Sequence, residues 1–353
     1  MPPLLLLVAI SALAIILGGA YLLLLLFSPE GTPTQPSERR YASAAQPQGQ
    51  LRPLTEEAGC SLSVVVPAYN ERERLGLMVD EAMSFLLNEM DDDDKDNGKK
   101  GNHEWYTRGV ELLIVDDGST DDTAEIGLEL ARKWEERARG KVEIRVVTLE
   151  RNRGKGAAVR HGILFSRGER ILFADADGAS DFQDLTLLQR EMDRLLSLTG
   201  DDRRTKHHAI VAGSRAHMVN SEAVVKRSFL RNLLMRAFHI FLRTLGVRGV
   251  KDTQCGFKLF TRATALTLFP ALHLHRWSFD VELLLLAQML RLPIAEVPIK
   301  WHEVPGSKIS VAVDGLGMAR DLVVLRGNLA LGRWTVPELT REGAGIDMDE
   351  EGN

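Results

Sequence analysis

Cysteine is almost missing from this chain: Cys60 and Cys255 are the only two among 353 residues. They stand far apart and outside any metal-ligand spacing. Neither a disulfide framework nor a cysteine metal centre is indicated, and both read as free thiols of a reducing compartment. Positive charge is not in excess either. Forty-four Lys and Arg against 49 Asp and Glu leave a formal net charge of −5, which gives no reason to expect a nucleic-acid partner. No G-x-G-x-x-G follows the first strand-like run and no G-x-x-x-x-G-K-[ST] occurs. A dinucleotide-binding turn and a P-loop are therefore not indicated.

What the chain has at its start is an uncharged, Leu-rich run from Leu4 to Phe27. At 1.5 Å per residue it spans about 36 Å, enough to cross a hydrocarbon core of roughly 30 Å with some tilt. It exceeds the h-region of about 7–15 residues found in signal peptides and has no basic stretch before it, so a retained anchor is expected. Arg39, Arg40 and Arg52 follow the run and no Lys or Arg precedes it, which places the following domain on the cytoplasmic side. The predicted organisation is an anchor over 1–28, a linker over 29–59 rich in Pro, Gln, Ser and Gly, a folded domain over 60–334, and an acidic, disordered tail over 335–353.

Within the domain, strand and helix signals alternate. Strands are predicted at Ser61–Val66, Val110–Val115, Val142–Leu149 and Arg170–Ala174. Helices are predicted at Glu71–Leu87, Asp122–Ala138 and Ala157–Ser166. The acidic run Asp91–Asp94 and nearby glycines mark Asn88 to Glu104 as a solvated loop insertion. This alternation implies an α/β fold with a mainly parallel sheet flanked by helices and right-handed crossovers. Ligands of such sheets bind beyond the carboxyl ends of the strands. Polar clusters stand at those ends here: Pro67 to Glu71, Asp116 to Ser119, Asn152 to Gly156, and Asp175-Ala176-Asp177. All four are expected to face one crevice.

The chemistry of each cluster follows from its residue types. Ionised carboxylates only accept hydrogen bonds, so Asp117 suits sugar hydroxyls and base N–H groups, while Ser119 and Thr120 serve equally well as caps of the helix that follows. Asp175 and Asp177 leave an apolar strand two residues apart and can converge on one hard cation. Oxygen ligands without a His or Cys cluster point to Mg²⁺ or Mn²⁺. Lys155, between two glycines at a helix start, suits a phosphate or base. Arg215 and Lys308 follow small residues and could complete a diphosphate clamp. Two segments, near 226–246 and 311–334, carry apolar faces with arginines beside them. The first sets Leu230, Leu234, Phe238 and Leu245 against Arg227, Arg231 and Arg236; the second sets Met318, Leu322, Leu325 and Leu329 against Arg320, Arg326 and Arg333. Such helices suit a membrane interface, and core-facing helices read similarly.

Taken together, Val-Val-Val-Pro-Ala-Tyr-Asn-Glu, Asp-Asp-Gly-Ser, Asn-Arg-Gly-Lys-Gly and Asp-Ala-Asp resemble the motifs of inverting family-two glycosyltransferases with the GT-A fold, a Rossmann-like sheet. More narrowly, the strings from Ala174 to Ala179, Gly213 to His217, Asp252 to Phe260, Phe279 to Glu282 and Gly306 to Lys308 are similar to those of the dolichyl-phosphate β-glucosyltransferase family. That resemblance, from about Ser61 to Trp334, implies UDP-glucose as donor, dolichyl phosphate as acceptor, and the cytosolic face of the endoplasmic reticulum, where the product supplies glucose for protein N-glycosylation. It implies that Pro67, Tyr69, Glu71, Asp117, Lys155 and Asp175 bind the donor and that Asp175 and Asp177 hold the metal. Arg227, Arg231, Gln254 and Trp277 fall on the acceptor side. The catalytic set it implies is Asp175, Asp177, Arg215, Arg227, Gln254, Asp280 and Lys308. The rival readings are a GDP-mannose-dependent polyprenyl-phosphate enzyme and a catalytically silent nucleotide-sugar-binding protein. Nothing in the sequence specifies an oligomer.

Overall fold

The computed structural model describes residues 3–31, 33–44, 50–51, 58–95, 104–198, 205–220, 249–306 and 311–339. Arg227, Arg231, Lys308, the amphipathic segment predicted near 226–246 and the tail beyond 339 lie outside the described residues.

The chain begins with α1 (Pro3–Phe27), whose apolar side chains are largely exposed and which is long and apolar enough to cross a membrane. A short antiparallel pair follows, β1 (Arg40–Tyr41) with β2 (Gln50–Leu51). The body of the fold is one mixed sheet. Its strands are β3 (Cys60–Ala68), β4 (Val110–Asp116), β5 (Val142–Thr148), β6 (Gly168–Ala174), β7 (Ile210–Ser214), β8 (Phe257–Thr261) and β9 (Ile294–Pro298), in the spatial order β5-β4-β3-β6-β8-β7-β9. Strands β5, β4, β3 and β6 run parallel, as do β7 and β9, while β8 is antiparallel to both its neighbours.

These runs are strands because they are β-branched and apolar on both faces, as a sheet covered by helices on each side requires. Leu62, Val64, Val66, Leu172 and Ala174 look to one apolar layer, and Val65, Ile171 and Phe173 to the other. The first layer takes side chains of α2 (Leu75–Lys95), α3 (Thr123–Ala138) and α5 (Leu185–Leu198). The second takes those of α4 (Lys155–Phe165), α6 (Arg262–Leu268), α7 (Phe279–Met289) and α8 (Val311–Ala330). From Phe279 to Ala287 every residue of α7 is buried, the signature of a helix enclosed on all sides. Pro67 sits inside β3, where pairing with β6 has already ended at Val65, so its missing N–H breaks no ladder on that side.

Three expectations change. Helix α2 continues through the acidic run to Lys95 instead of ending near Leu87. Its spacing persists because Met83, Leu86 and Met90 all reach the core. The predicted linker is docked in part: Glu38 and Tyr41 are buried, and Ala42 forms an antiparallel bridge with Val146 at the sheet edge. In α8, Leu322 and Leu325 join the second apolar layer beside α7, and Met318 is buried as well. That row is core rather than a face for lipid, because burial beside α7 removes it from any outer surface.

Candidate active site

Sheet topology alone brings the candidates together. The carboxyl ends of β5, β4, β3 and β6 share one edge, since these strands are parallel. Because β8 runs the other way, its start at Phe257 pairs with the end of β6 at Ala174. The segment Asp252–Gly256 therefore arrives at that same edge. Strands β7 and β9 reverse the direction again and deliver Arg215 and Lys300–Trp301 there too.

Hydrogen bonds then knit the loops into one wall. Asn70, with φ of 53°, donates its N–H to Ser119 Oγ (2.9 Å), and its Oδ1 accepts from Thr120 N (2.8 Å). Ser119 and Thr120 thus join two loops, and the helix begins only at Thr123. Tyr69 is half-buried beside them. Glu71 accepts both Nε and Nη2 of Arg74 at 2.7 Å, and Arg74 Nη1 reaches the Pro305 carbonyl at 3.4 Å. The loop that follows β9 therefore passes alongside Arg74 at Pro305.

Asp117 is 3 % exposed and accepts two backbone donors, Arg153 N on Oδ1 (2.8 Å) and Gly154 N on Oδ2 (2.9 Å). Burial pushes its carboxyl up to about 6, against the pull of those two donors. Gly154 has φ of 98°, and a Cβ there would stand 2.7 Å from the His275 carbonyl. Only glycine lets the chain pass between Asp117 and His275.

Next in sequence, Lys155 extends over Trp277 and Phe173, its Nζ 5.4 and 5.2 Å from the ring centroids, and meets Asp175 Oδ1 at 2.6 Å. Burial works against its charge, but Asp175 and Asp280 outweigh that and raise its pKa. The Asp175 carboxylate lies directly on the backbone of Gly256, where a Cβ would come within 2.0 Å of Oδ2. Asp177 gives one oxygen to Ala179 N (3.0 Å). The Cys255 thiol is pushed up to about 12 by burial, so it stays protonated and offers no soft ligand. Among the described residues no group of three or more His, Cys, Asp or Glu is arranged to hold a metal ion by itself. Two carboxylates with no competing sulfur or imidazole fit Mg²⁺ or Mn²⁺, which are commonly held by one or two acids together with substrate phosphates and water.

The remaining described candidates are each held by partners within the protein. Arg215 donates Nε and Nη2 to Asp252 at 2.7 and 2.9 Å and lies 5.5 Å from the Trp301 ring centroid. It reaches the crevice as half of an ion pair. Asp280 is 2 % exposed and bonded to Lys258 Nζ at 2.6 Å, which also donates to the Cys255 carbonyl. Burial raises its pKa, against the pull of Lys258 and Lys155. Gln254 Nε2 points to the Trp277 carbonyl (3.5 Å) and Met318 Sδ (3.6 Å), linking the crevice floor to α8. Arg74, Asp252 and Lys258 were not singled out from the sequence. Asp252 and Lys258 are defined by partners that only folding supplies, while Arg74 pairs locally with Glu71.

The family model for Glycosyl transferase family 2 matches residues 63–245. A dolichyl-phosphate β-glucosyltransferase of Saccharomyces cerevisiae is 44% identical over 88% of this chain and 90% of its own length. Those of Dictyostelium discoideum and Homo sapiens are 46% and 41% identical, covering 78% and 86% of this chain and 76% and 86% of theirs. Among solved structures, glucosyl-3-phosphoglycerate synthase from Mycobacterium tuberculosis aligns over 80% of this chain and 82% of that chain, with 21% identity and a TM-score of 0.48. That likeness is too distant to bear on function. With a mainly parallel sheet whose polar loops meet at one edge, and relatives matched along most of its length, the chain belongs to glycosyltransferase family 2 and, within it, to the dolichyl-phosphate β-glucosyltransferases.

Proposed function

We propose that this chain transfers glucose from UDP-glucose to dolichyl phosphate with inversion, releasing UDP and dolichyl β-D-glucosyl phosphate for N-glycosylation, at the cytosolic face of the endoplasmic reticulum membrane. The observation that carries this reading is the convergence of Asp117, Lys155, Asp175 and Asp177 on one sheet edge. Asp117 accepts from the uracil ring and Tyr69 lines the same wall. Lys155, held by Asp175, stands between the base and the diphosphate.

An acceptor phosphate monoester has its second pKa near 6 and is largely a dianion at neutral pH. It needs no strong general base, and none is required of this site. A phosphate oxygen attacks the anomeric carbon in line, the new C–O bond forms, and the electron pair of the broken bond leaves on the β-phosphate of UDP. The protein's task is alignment and charge neutralisation. Asp175 and Asp177 would hold Mg²⁺ or Mn²⁺, which supplies positive charge to the departing diphosphate when bound. Arg215, oriented by Asp252, contributes a fixed positive charge. Lys308, Arg227 and Arg231 are assigned to phosphate groups by family pattern. Gln254 and Trp277 are assigned to the acceptor side, and Asp280 is reassigned to holding Lys258.

The anchor would be α1, and exposed Val313, Leu316, Val323 and Leu331 of the α8 region would rest against the lipid surface beside it. The test is an assay of purified full-length protein with radiolabelled UDP-glucose and GDP-mannose against dolichyl phosphate. Transfer from UDP-glucose alone is expected, with loss of at least 90% of it (about 1.4 kcal/mol or more of transition-state stabilisation) in Asp177→Ala. Transfer from GDP-mannose, or UDP-glucose binding without turnover, would overturn the assignment.

A further inference from the structure

The strap that follows the anchor is built into the wall of the site. Shortly after α1 ends at Phe27, a 3-10 turn at Ser37–Arg39 places Glu38 fully inside the protein, 0% exposed. Its carboxylate joins the strap to the loop that precedes α4. Oε1 accepts from Arg153 Nη2 (2.6 Å) and from Glu150 N (3.1 Å), and Oε2 accepts from Gln35 N (2.9 Å). The Pro33 carbonyl accepts from Arg153 Nη1 at 3.4 Å. Beyond Glu38, Tyr41 covers the buried Arg145 guanidinium at 4.5 Å, and Ala42 exchanges two backbone hydrogen bonds of 2.8 Å with Val146. The strap is therefore fixed on both sides of Glu38.

Arg153 is where this strap meets the donor wall. Its side chain is held by Glu38 and Pro33, while its backbone N–H is one of the two donors on Asp117. The other donor is the next residue, Gly154, and the one after it is Lys155, bonded to Asp175. The residue whose side chain the strap holds is thus the one whose backbone amide orients Asp117.

We infer that Glu38 is a positioning residue for the donor site. The juxtamembrane strap, through the Glu38–Arg153 pair, sets the backbone of residues 153–155 on which Asp117 and Lys155 depend. The inference rests on the assignment of Asp117 and Lys155 to UDP-glucose. It predicts that the segment linking anchor to domain acts on nucleotide-sugar affinity and not on the chemical step.

The test uses the full-length protein in membranes or detergent, with UDP-glucose affinity measured directly and KM and kcat measured alongside. Glu38→Ala and Arg153→Ala are each expected to weaken UDP-glucose binding about tenfold, with kcat and the KM for dolichyl phosphate within about twofold of the parent. Glu38→Gln keeps the size and an acceptor oxygen and is expected to lose only about threefold. Because the two residues act as one unit, Glu38→Ala/Arg153→Ala is expected to be no worse than either single variant. A purely structural role would lower thermal stability in all these variants and leave affinity unchanged, and that result overturns the inference. So does a fall in kcat at unchanged affinity, or additive losses in the double variant. If Glu38→Ala fails to fold, the affinity of Glu38→Gln decides. Asp117→Ala separates the two assignments: unchanged affinity there sinks the donor-site reading itself, whereas weakened affinity there with normal Glu38 variants sinks the positioning role alone.

Discussion

Asp117 accepts two backbone amides and still has its carboxyl raised to about 6 by burial. The sign of the consequence is fixed by that direction. Between the ordinary value of 3.8 and about 6 the native state holds more protons than the unfolded chain, so this group's contribution to stability falls as pH rises through that window. Donor binding runs the opposite way, since the carboxylate that accepts from the base exists above about pH 6. UDP-glucose affinity is therefore expected to weaken about tenfold from pH 7 to pH 5. Titration of binding rather than turnover is the proper measurement, because the acceptor phosphate changes charge in the same range. Asp117→Asn should flatten the profile, and a profile unchanged by that substitution would remove Asp117 from the base site. At this scale the motif residues were legible: an Asp at a strand end and a D-x-D announce themselves by type and spacing. Their partners were not. Asp252 for Arg215 and Lys258 for Asp280 lie 37 and 22 residues away in sequence, and no local pattern marks such a pairing.

Among the elements, the first four strands of the sheet and the helices between them were readable from period and β-branching. The reversal at β8 was not, since a strand's apolar run looks the same in either direction. Nor was the allegiance of α8. A row of Met318, Leu322 and Leu325 flanked by arginines fits a lipid face and a core face equally, and burial decided for the core. The opposite flank of α8 receives the end of α1. Asn328 donates to Ser28 Oγ at 2.9 Å, Arg320 lies 5.7 Å from the Phe27 ring centroid, and a Cβ on Gly327 would stand 2.8 Å from Leu24. Gly327→Leu is expected to force this joint apart. About 1 kcal/mol of lost orientation corresponds to roughly a fivefold rise in the KM for dolichyl phosphate. UDP-glucose affinity should not change. An unaltered lipid KM would show that the joint does not set the pose of the domain on the membrane.

Among the described residues, the anchor and the domain are joined at two places, the α1–α8 joint and the strap that carries the Ala42–Val146 bridge. The second has a consequence for anyone who wishes to detach the domain from its membrane. Strand β5 is the outermost of the sheet, and Ala42 satisfies part of its otherwise bare rim. A fragment starting near residue 60 would discard that cover together with the anchor, and an uncovered strand rim is a template for adding strands from other molecules. Such a fragment is expected to self-associate in a concentration-dependent way, whereas one starting near Ser28 should remain monodisperse by light scattering; equal behaviour of the two would deny the strap any protective part. Solubility and donor affinity would then be lost by the same cut.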